Sequence, residues 1–369
     1  MGHAIRMLRK NLEGLIDKKE NRMSHHPAIA LFEELLVPSP SGSEKNVAEI
    51  IKIKLNDIGY THEIDPAGNI HVRLPGRESE APLFVFAAHM DEIGMVVTNI
   101  ESNGNLRVTR SGGLHPWKLG EGPLDILGDH ASIQGILSMG STHTPKAAEQ
   151  SVTWEDVHVI TGLSPDQLKK AGVRPGTTLL PTRERRGPVI FGDEADPLVG
   201  AWTFDDRMGC VTLLRLLEVL KNNDLTPKHP TIIAFTTQEE IGGHGAKYLA
   251  RSTNPEVFVS VDGSPVPPGS PLKIDGRPSI WSKDRIAQYD QDLIRAFSEA
   301  ALNAGTEIQT AVYDGAASDA SLVSYALGVP KIVCIGHVRE NSHGYEVARL
   351  AVFDNLLNTL VAFIRSYEG

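Results

Sequence analysis

The chain has 369 residues, of which 41% are hydrophobic and 22% charged, a balance typical of a globular protein with a substantial core. Its formal net charge of −10 argues against nucleic acid as a partner, because phosphate binding requires a basic surface. No apolar run is long enough to span a membrane, and the first residues lack the apolar core of a signal peptide. The two cysteines, Cys210 and Cys334, lie far apart and form no disulfide framework or zinc ribbon. These features predict a cytoplasmic protein.

The first half of the chain begins with an α/β pattern. Residues 1–23 are predicted to be an N-terminal extension, because their charges are mixed and their apolar residues sparse. Apolar residues then recur at helical spacing, and later in short runs typical of strands. The pattern predicts helices over 27–36 and 44–58, a half-buried strand over 70–74 and a fully buried strand over 83–88.

Residues 94–197 have a different character. They are rich in glycine and turn signals, contain several short candidate strands, and show weak helical periodicity. This predicts a small all-β domain inserted into an α/β catalytic domain, which comprises residues 24–93 and 198–369.

The α/β pattern resumes at residue 198. An amphipathic helix is predicted over 208–223, followed by four strands and three further helices. The strands are predicted at 231–237, 257–262, 307–314 and 331–336, and the helices at about 287–303, 318–326 and 346–366. Alternating strands and helices predict a mostly parallel sheet flanked by helices.

In such sheets, ligands bind beyond the carboxyl ends of the strands. Imidazole and carboxylate side chains follow the predicted strands directly, and one acidic pair precedes the helix at 208–223. These segments are His89-Met90-Asp91-Glu92, Asp205-Asp206, Gln238-Glu239-Glu240, Asp262 and Asn341-Ser342-His343.

Each segment alone has a simple structural explanation, since acidic pairs favour helix starts and single histidines are usually not ligands. Charged groups that directly follow buried strands nevertheless need a partner, and a metal ion supplies one. Imidazole and carboxylate ligands without thiolate suit zinc, cobalt or manganese. Five ligands exceed the need of one catalytic zinc and suit two ions that share a bridge.

Two further roles follow from the same segments. The adjacent Glu239 and Glu240 offer one metal ligand and one general base. Asp91 lies two residues after His89 and is placed to accept the hydrogen of its other ring nitrogen, which fixes the tautomer.

Five motifs carry a family resemblance, in family order, from about residue 27 to the end. They are AAHMDEIG (87–94), FDDRMGC (204–210), TTQEEIGGHGA (236–246), SVDG (260–263) and NSHGYE (341–346). With them, the chain resembles the TET or glutamyl-aminopeptidase group of co-catalytic metallo-aminopeptidases, which includes deblocking aminopeptidases. The resemblance implies a zinc-peptidase-like fold, a metal-dependent hydrolase, and peptide substrates with free N-termini.

The resemblance also assigns roles to single residues. It implies two divalent ions per subunit, zinc first and cobalt or manganese as alternatives. One ion is expected on His89 and Asp262 and the other on Glu240 and His343, with Asp205 bridging both. Glu239 is expected to be the general base and Asp91 the partner of His89, and the peptide bond after Asp205 is expected to be cis.

The resemblance further implies a homo-oligomer built from dimers through residues 94–197, with a dodecamer as one such form. The last motif departs from the family, because Glu346 follows His343 by three residues instead of four, so His337 is an alternative ligand. Three other functions stay open: a related metallo-carboxypeptidase or deacylase, a metal-free glycoside hydrolase, and a non-catalytic shell or binding protein.

Overall fold

The computed structural model describes residues 26–141, 143 and 151–367. The predicted extension at 1–23 lies outside this range. Among the helices of the described residues, none is both long enough and apolar enough to cross a membrane.

The strands form two open sheets and one closed barrel, and helices connect many of them. The helices are α1 (Pro27–Leu35), α2 (Lys45–Ile58), α3 (Pro116–Leu119), α4 (Pro165–Lys170), α5 (Phe204–Asn222), α6 (His244–Thr253), α7 (Gln291–Asn303), α8 (Asp319–Leu327) and α9 (Ala351–Ser366). The strands are β1 (Glu63–Ile64), β2 (Ile70–Leu74), β3 (Phe84–His89), β4 (Gly94–Ile100), β5 (Leu106–Ser111), β6 (Gly122–Leu127), β7 (Ser132–Ser138), β8 (His158–Ile160), β9 (Thr178–Pro181), β10 (Val189–Asp193), β11 (Asp196–Trp202), β12 (Thr231–Thr236), β13 (Val257–Val261), β14 (Ser264–Pro265), β15 (Ser279–Lys283), β16 (Gln309–Val312), β17 (Lys331–Gly336), β18 (Val338–Glu340) and β19 (Tyr345–Arg349).

The central sheet has eight strands in the order β1-β2-β12-β3-β13-β17-β15-β16. Strands β12, β3, β13 and β17 run parallel at its centre, and every residue of β3, β12 and β13 is buried. Helix α5 packs against β3 and β13, while α7 and α8 pack against β17. The predicted fold class, a mostly parallel sheet flanked by helices, is confirmed, and its parallel strands end at one common edge.

Six strands close into a separate barrel, in the order β4-β5-β8-β7-β6-β9. The barrel begins at Gly94, two residues after Glu92, and its last strand ends at Pro181. It has its own apolar core, which includes Met95, Leu124 and Leu179. Its strands show the alternating burial of a half-exposed sheet, since their inner side chains fill the barrel and their outer ones face solvent.

A third sheet of five strands has the order β10-β11-β19-β18-β14. Strand β10, which lies within the predicted insertion at 94–197, therefore pairs with β11 rather than with the barrel. The helix predicted over 346–366 is wrong at its start, because residues 345–349 form β19 and the helix begins at Ala351. Alternate residues of β19 are buried, and pairing with both β11 and β18 satisfies its backbone groups. The last predicted motif, NSHGYE (341–346), therefore lies at the turn of the β18–β19 hairpin and the start of β19.

Candidate metal centre

The predicted site residues come from separate elements that meet at the carboxyl edge of the central sheet. His89 ends β3, Asp262 follows β13, and Glu239 and Glu240 follow β12 in the loop before α6. Asp205 lies in the first turn of α5, and His343 lies at the turn of the β18–β19 hairpin. Glu239, Glu240, Asp205, Asp262 and His343 line a cavity of about 770 Å³.

Asp205 is the centre of this arrangement. Its Oδ1 lies 3.1 Å from Nε2 of His89, and its Oδ2 lies 3.5 Å from Nε2 of His343. The same His343 nitrogen is 3.7 Å from Oε2 of Glu240. Candidate ligand atoms of His89, Asp205 and Glu240 all lie within 4.8 Å of one another, as do those of His89, Asp206 and Asp262. The carboxylate of Asp205 therefore faces His89 on one side and His343, which lies beside Glu240, on the other.

Asp206 was not predicted as a site residue, although it is fully buried beside the cluster. Its Oδ2 accepts the backbone N–H of His89 at 3.2 Å, and its Oδ1 accepts that of Gly209 at 3.1 Å. The peptide bond between Asp205 and Asp206 is cis, as the resemblance implied. Both carboxylate oxygens of Asp206 thus have backbone donors, so it ties the end of β3 to helix α5.

Asp91 links the histidine of β3 to the two glutamates after β12. Its carboxylate accepts the backbone N–H groups of Glu239 at 2.9 Å and Glu240 at 3.2 Å, and the hydroxyl of Ser41 at 2.6 Å. Its Oδ1 is also 3.4 Å from Nδ1 of His89, whose ring hydrogen the Asp91 carbonyl accepts at 3.1 Å. This arrangement directs Nε2 of His89 into the site.

The barrel also reaches the site, which the sequence pattern did not reveal. The carbonyl of Gly113 accepts the Nδ1 hydrogen of His343 at 3.1 Å, so Nε2 of that ring is left to face Asp205 and Glu240. A Cβ atom at Gly113 would lie 2.4 Å from Nδ1 of His343, and one at Gly112 would lie 3.3 Å from the Glu240 carboxylate. Glycine is required here because the chain passes directly over two candidate ligands.

Burial and neighbouring charges together set the protonation of the cluster. It raises the pKa of Glu240 to about 8 and that of Asp262 to about 6, because ionised carboxylates are disfavoured away from water. Burial also opposes the ionisation of Asp205, but Arg339, His343 and His89 outweigh it and hold the pKa of that carboxyl well below its usual range. Burial alone disfavours a charged His343, yet Glu240 and Asp205 raise its pKa to about 10.

These residues fit divalent cations. Oε1 of Glu240 is buried without a hydrogen-bond partner in the described part of the chain, and the carboxylates of Asp205, Glu239 and Asp262 line the same cavity. The donors are imidazole nitrogens and carboxylate oxygens, which suit zinc, cobalt or manganese. A cation would neutralise the carboxylates and bind the Nε2 atoms that both histidines direct toward Asp205.

The alternative ligand, His337, lies elsewhere. Its buried ring packs edge-on against Phe204, with ring centroids 6.1 Å apart, and lies 5.4 Å from the ring of Phe353. Burial, with a further contribution from Arg339, lowers the pKa of His337 to about 3. The structure therefore brings His343, and not His337, to Asp205 and Glu240.

The parallel sheet carries at its edge an imidazole–carboxylate cluster that suits divalent cations. Residues 68–358 match the family described as M42 glutamyl aminopeptidase. The chain belongs to this family. The predicted family resemblance is thereby confirmed.

Three relatives illustrate the similarity. The chain is 29% identical over 248 residues to the glutamyl aminopeptidase of Lactococcus lactis, covering 62% of this chain and 64% of that enzyme. It is 27% identical over 232 residues to the lysyl aminopeptidase of Pyrococcus furiosus, covering 61% of this chain and 63% of that enzyme. The chain thus spans just under two thirds of the length of each. The solved TET1 peptidase of Pyrococcus horikoshii is 26% identical to this chain, with a TM-score of 0.79. The match covers 92% of this chain and 100% of the TET1 chain.

Proposed function

We propose that this chain removes N-terminal residues from peptides at a site for two divalent metal ions, with zinc as the first choice and cobalt or manganese as alternatives. The observation that carries the proposal is the position of Asp205, whose two carboxylate oxygens face His89 and His343 at 3.1 and 3.5 Å. A single carboxylate between two sets of ligands is the arrangement a bridged pair of ions requires.

The proposed ligands divide into two groups around Asp205. His89 and Asp262 would hold one ion and Glu240 and His343 the other, with Asp205 placed to serve both. When bound, such ions polarise a carbonyl group and lower the pKa of water. Asp91 and the Gly113 carbonyl orient the two histidine rings through their Nδ1 atoms.

Glu239 is the proposed general base. Its Oε2 lies 3.9 Å from Nε2 of His89 and its side chain lines the cavity, so it faces the space between ligands and substrate. Burial raises the pKa of Glu239 well above its usual range, which lets the carboxyl hold a proton during the reaction. Its carboxylate takes a proton from the attacking water and then delivers it to the leaving amine nitrogen.

The test compares three substrates: a free-amino peptide, its N-acetylated form, which has the same peptide bond, and an N-acyl amino acid, whose only amide joins the acyl group to the amino acid. We expect hydrolysis of the free-amino peptide alone, its loss on treatment with a chelator, and its recovery when zinc or cobalt is restored. Preference for an N-acylated substrate would favour the deacylase or carboxypeptidase alternative, and full activity with chelator would favour a metal-free hydrolase.

The substrate preference we propose is an acidic N-terminal residue. Arg110, at the end of β5, and Arg285, after β15, both line the cavity with exposed side chains. Within the described part of the chain neither guanidinium pairs with a carboxylate, and the backbone N–H of Arg285 bonds to Ala316 on the cavity wall.

Replacing Arg285 by alanine is therefore expected to lower kcat/KM for glutamyl substrates by about 10- to 100-fold, because a hydrogen bond to a charged group contributes about 1.5–3 kcal/mol. Activity on leucyl substrates should change less than threefold. Chromogenic glutamyl, aspartyl, leucyl and lysyl substrates measure this, with Arg277→Ala as control, since Arg277 pairs with Asp275 outside the cavity. Equal losses on glutamyl and leucyl substrates would contradict the assignment.

We also propose that the protein is a cytoplasmic homo-oligomer in which residues 94–197 form an inserted dimerisation domain. The solved TET1 peptidase of Pyrococcus horikoshii assembles into a tetrahedron or a large octahedral shell. On this chain, Ile136 and Ile160 pair across β7 and β8 and expose 47% and 46% of their surface on the outside of the barrel. An apolar pair on the outer face supports association through the barrel.

A further inference from the structure

The β18–β19 hairpin supplies more than His343. Arg339 lies in β18 and Glu346 in β19, and the side chains of both are almost fully buried, with 3% and 1% exposed. Their strands pair in antiparallel register, with Arg339 opposite Ala348, so the two side chains flank the turn that carries His343. A buried ion pair in this position is costly to desolvate and requires an explanation.

Arg339 and Glu346 form a closed ring of contacts with Asp205. Oε2 of Glu346 accepts the backbone N–H of Asp205 at 2.9 Å. Oε1 of Glu346 lies 2.7 Å from Nε of Arg339, and Nη2 of Arg339 donates to Oδ2 of Asp205. Asp205, the residue proposed to bridge the ions, is therefore held at its backbone by Glu346 and at its carboxylate by Arg339.

The charges of this ring act on the cations as well. Nη1 of Arg339 is 3.9 Å from Oδ1 of Asp262, so the guanidinium faces two of the proposed metal ligands. A positive group so placed competes with cations for Asp205. Glu346 offsets that charge through its contact with Nε of Arg339, and it is not itself a proposed ligand.

We infer that Glu346 is a positioning residue for the metal centre: through Arg339 and the Asp205 N–H, it sets the orientation and the free charge of the bridging carboxylate. This inference rests on the proposed function, since it concerns the same site. Glu346 touches neither the cavity nor, by this assignment, the substrate. Its effect is on cation binding, and the chemistry changes only as a consequence.

The experiment measures the affinity of the metal-free full chain for zinc by competition with a chromophoric chelator, together with the absorption spectrum of its cobalt form. We expect Glu346→Gln to weaken zinc binding by about 10- to 100-fold, the usual effect of removing a residue that supports metal ligands. Glutamine still accepts the Asp205 N–H but leaves Arg339 unbalanced. The cobalt spectrum should change because the coordination of Asp205 changes.

The double variant Glu346→Gln, Arg339→Met is the sharper test. Removing the guanidinium ends its competition for Asp205, so zinc binding should be about tenfold tighter than in Glu346→Gln alone. A role confined to holding the hairpin together predicts the reverse, because the double variant loses more contacts. Zinc binding within twofold of the unmodified chain in Glu346→Gln, or no recovery in the double variant, would overturn the inference.

Two controls separate folding from positioning. Arg349 lies on the same strand as Glu346 but pairs with Asp196 away from the cavity, so Arg349→Met should leave zinc affinity unchanged. Unfolding midpoints of the metal-free variants report on folding, and Glu346→Asp keeps the negative charge on a shorter side chain. It should bind zinc more tightly than Glu346→Gln, and equal or weaker binding would count against the inference. An unmodified chain that binds no zinc and cleaves no peptide would refute the proposed function instead.

Discussion

Replacement of Glu239 by glutamine is expected to lower kcat by about 10²- to 10⁴-fold, the contribution typical of a positioned general base. Glutamine is nearly isosteric but cannot take up a proton. Because Glu239 is not among the proposed ligands, the variant should keep the metal content of the unmodified chain. Its backbone N–H should also keep its bond to Asp91, so the loop after β12 is preserved.

The matched control is Glu240→Gln at the neighbouring position. Oε2 of Glu240 lies 3.7 Å from Nε2 of His343. This variant should lose metal as well as activity, since a proposed ligand is changed. Metal content by plasma emission and kcat on a free-amino peptide distinguish the two variants. A Glu239→Gln enzyme that retains more than a tenth of the normal kcat would remove Glu239 from the role of base.

The largest effect on stability is expected at Glu92. Its carboxylate is fully buried and accepts the Ser39 N–H at 2.9 Å, while it pairs with two buried arginines, Arg186 and Arg207. Glu92→Gln leaves both guanidinium groups without a counter-charge, so we expect a loss of about 3–5 kcal/mol in the free energy of unfolding. Denaturant midpoints at fixed protein concentration measure this loss.

An exposed pair provides the comparison for that variant. Glu101 is 2.7 Å from Nε of Arg107 on the barrel surface, where water screens the interaction. Glu101→Gln should therefore cost less than about 1 kcal/mol. If Glu92→Gln were no more destabilising than Glu101→Gln, the buried cluster would not be a major contributor to stability.

The sequence was sufficient to predict that the polar residues after the strands lie together at one edge of the sheet. His89 and Asp262 come directly after long apolar runs, and the parallel arrangement brings such positions to one edge. His343 was harder to place, because the residues after it were predicted to be helical and form β19 instead. Alternation over five residues is too short to be distinguished from the first turn of an amphipathic helix.

Other parts of the site depend on long-range contacts that leave no local pattern. The ring of Asp205, Arg339 and Glu346 joins positions up to 141 residues apart. The approach of Gly113 to His343 joins positions 230 apart, from the barrel to the hairpin. Periodicity reports only which face of an element is buried, so neither contact could be inferred before the fold was known.

The most direct test of the account is the number and position of the bound cations. Crystals of the zinc-loaded chain, measured at the zinc absorption edge, should show two anomalous peaks per chain on either side of the Asp205 carboxylate. One peak should contact His89 and Asp262, and the other Glu240 and His343. A single ion, or two ions that do not share Asp205, would contradict the account.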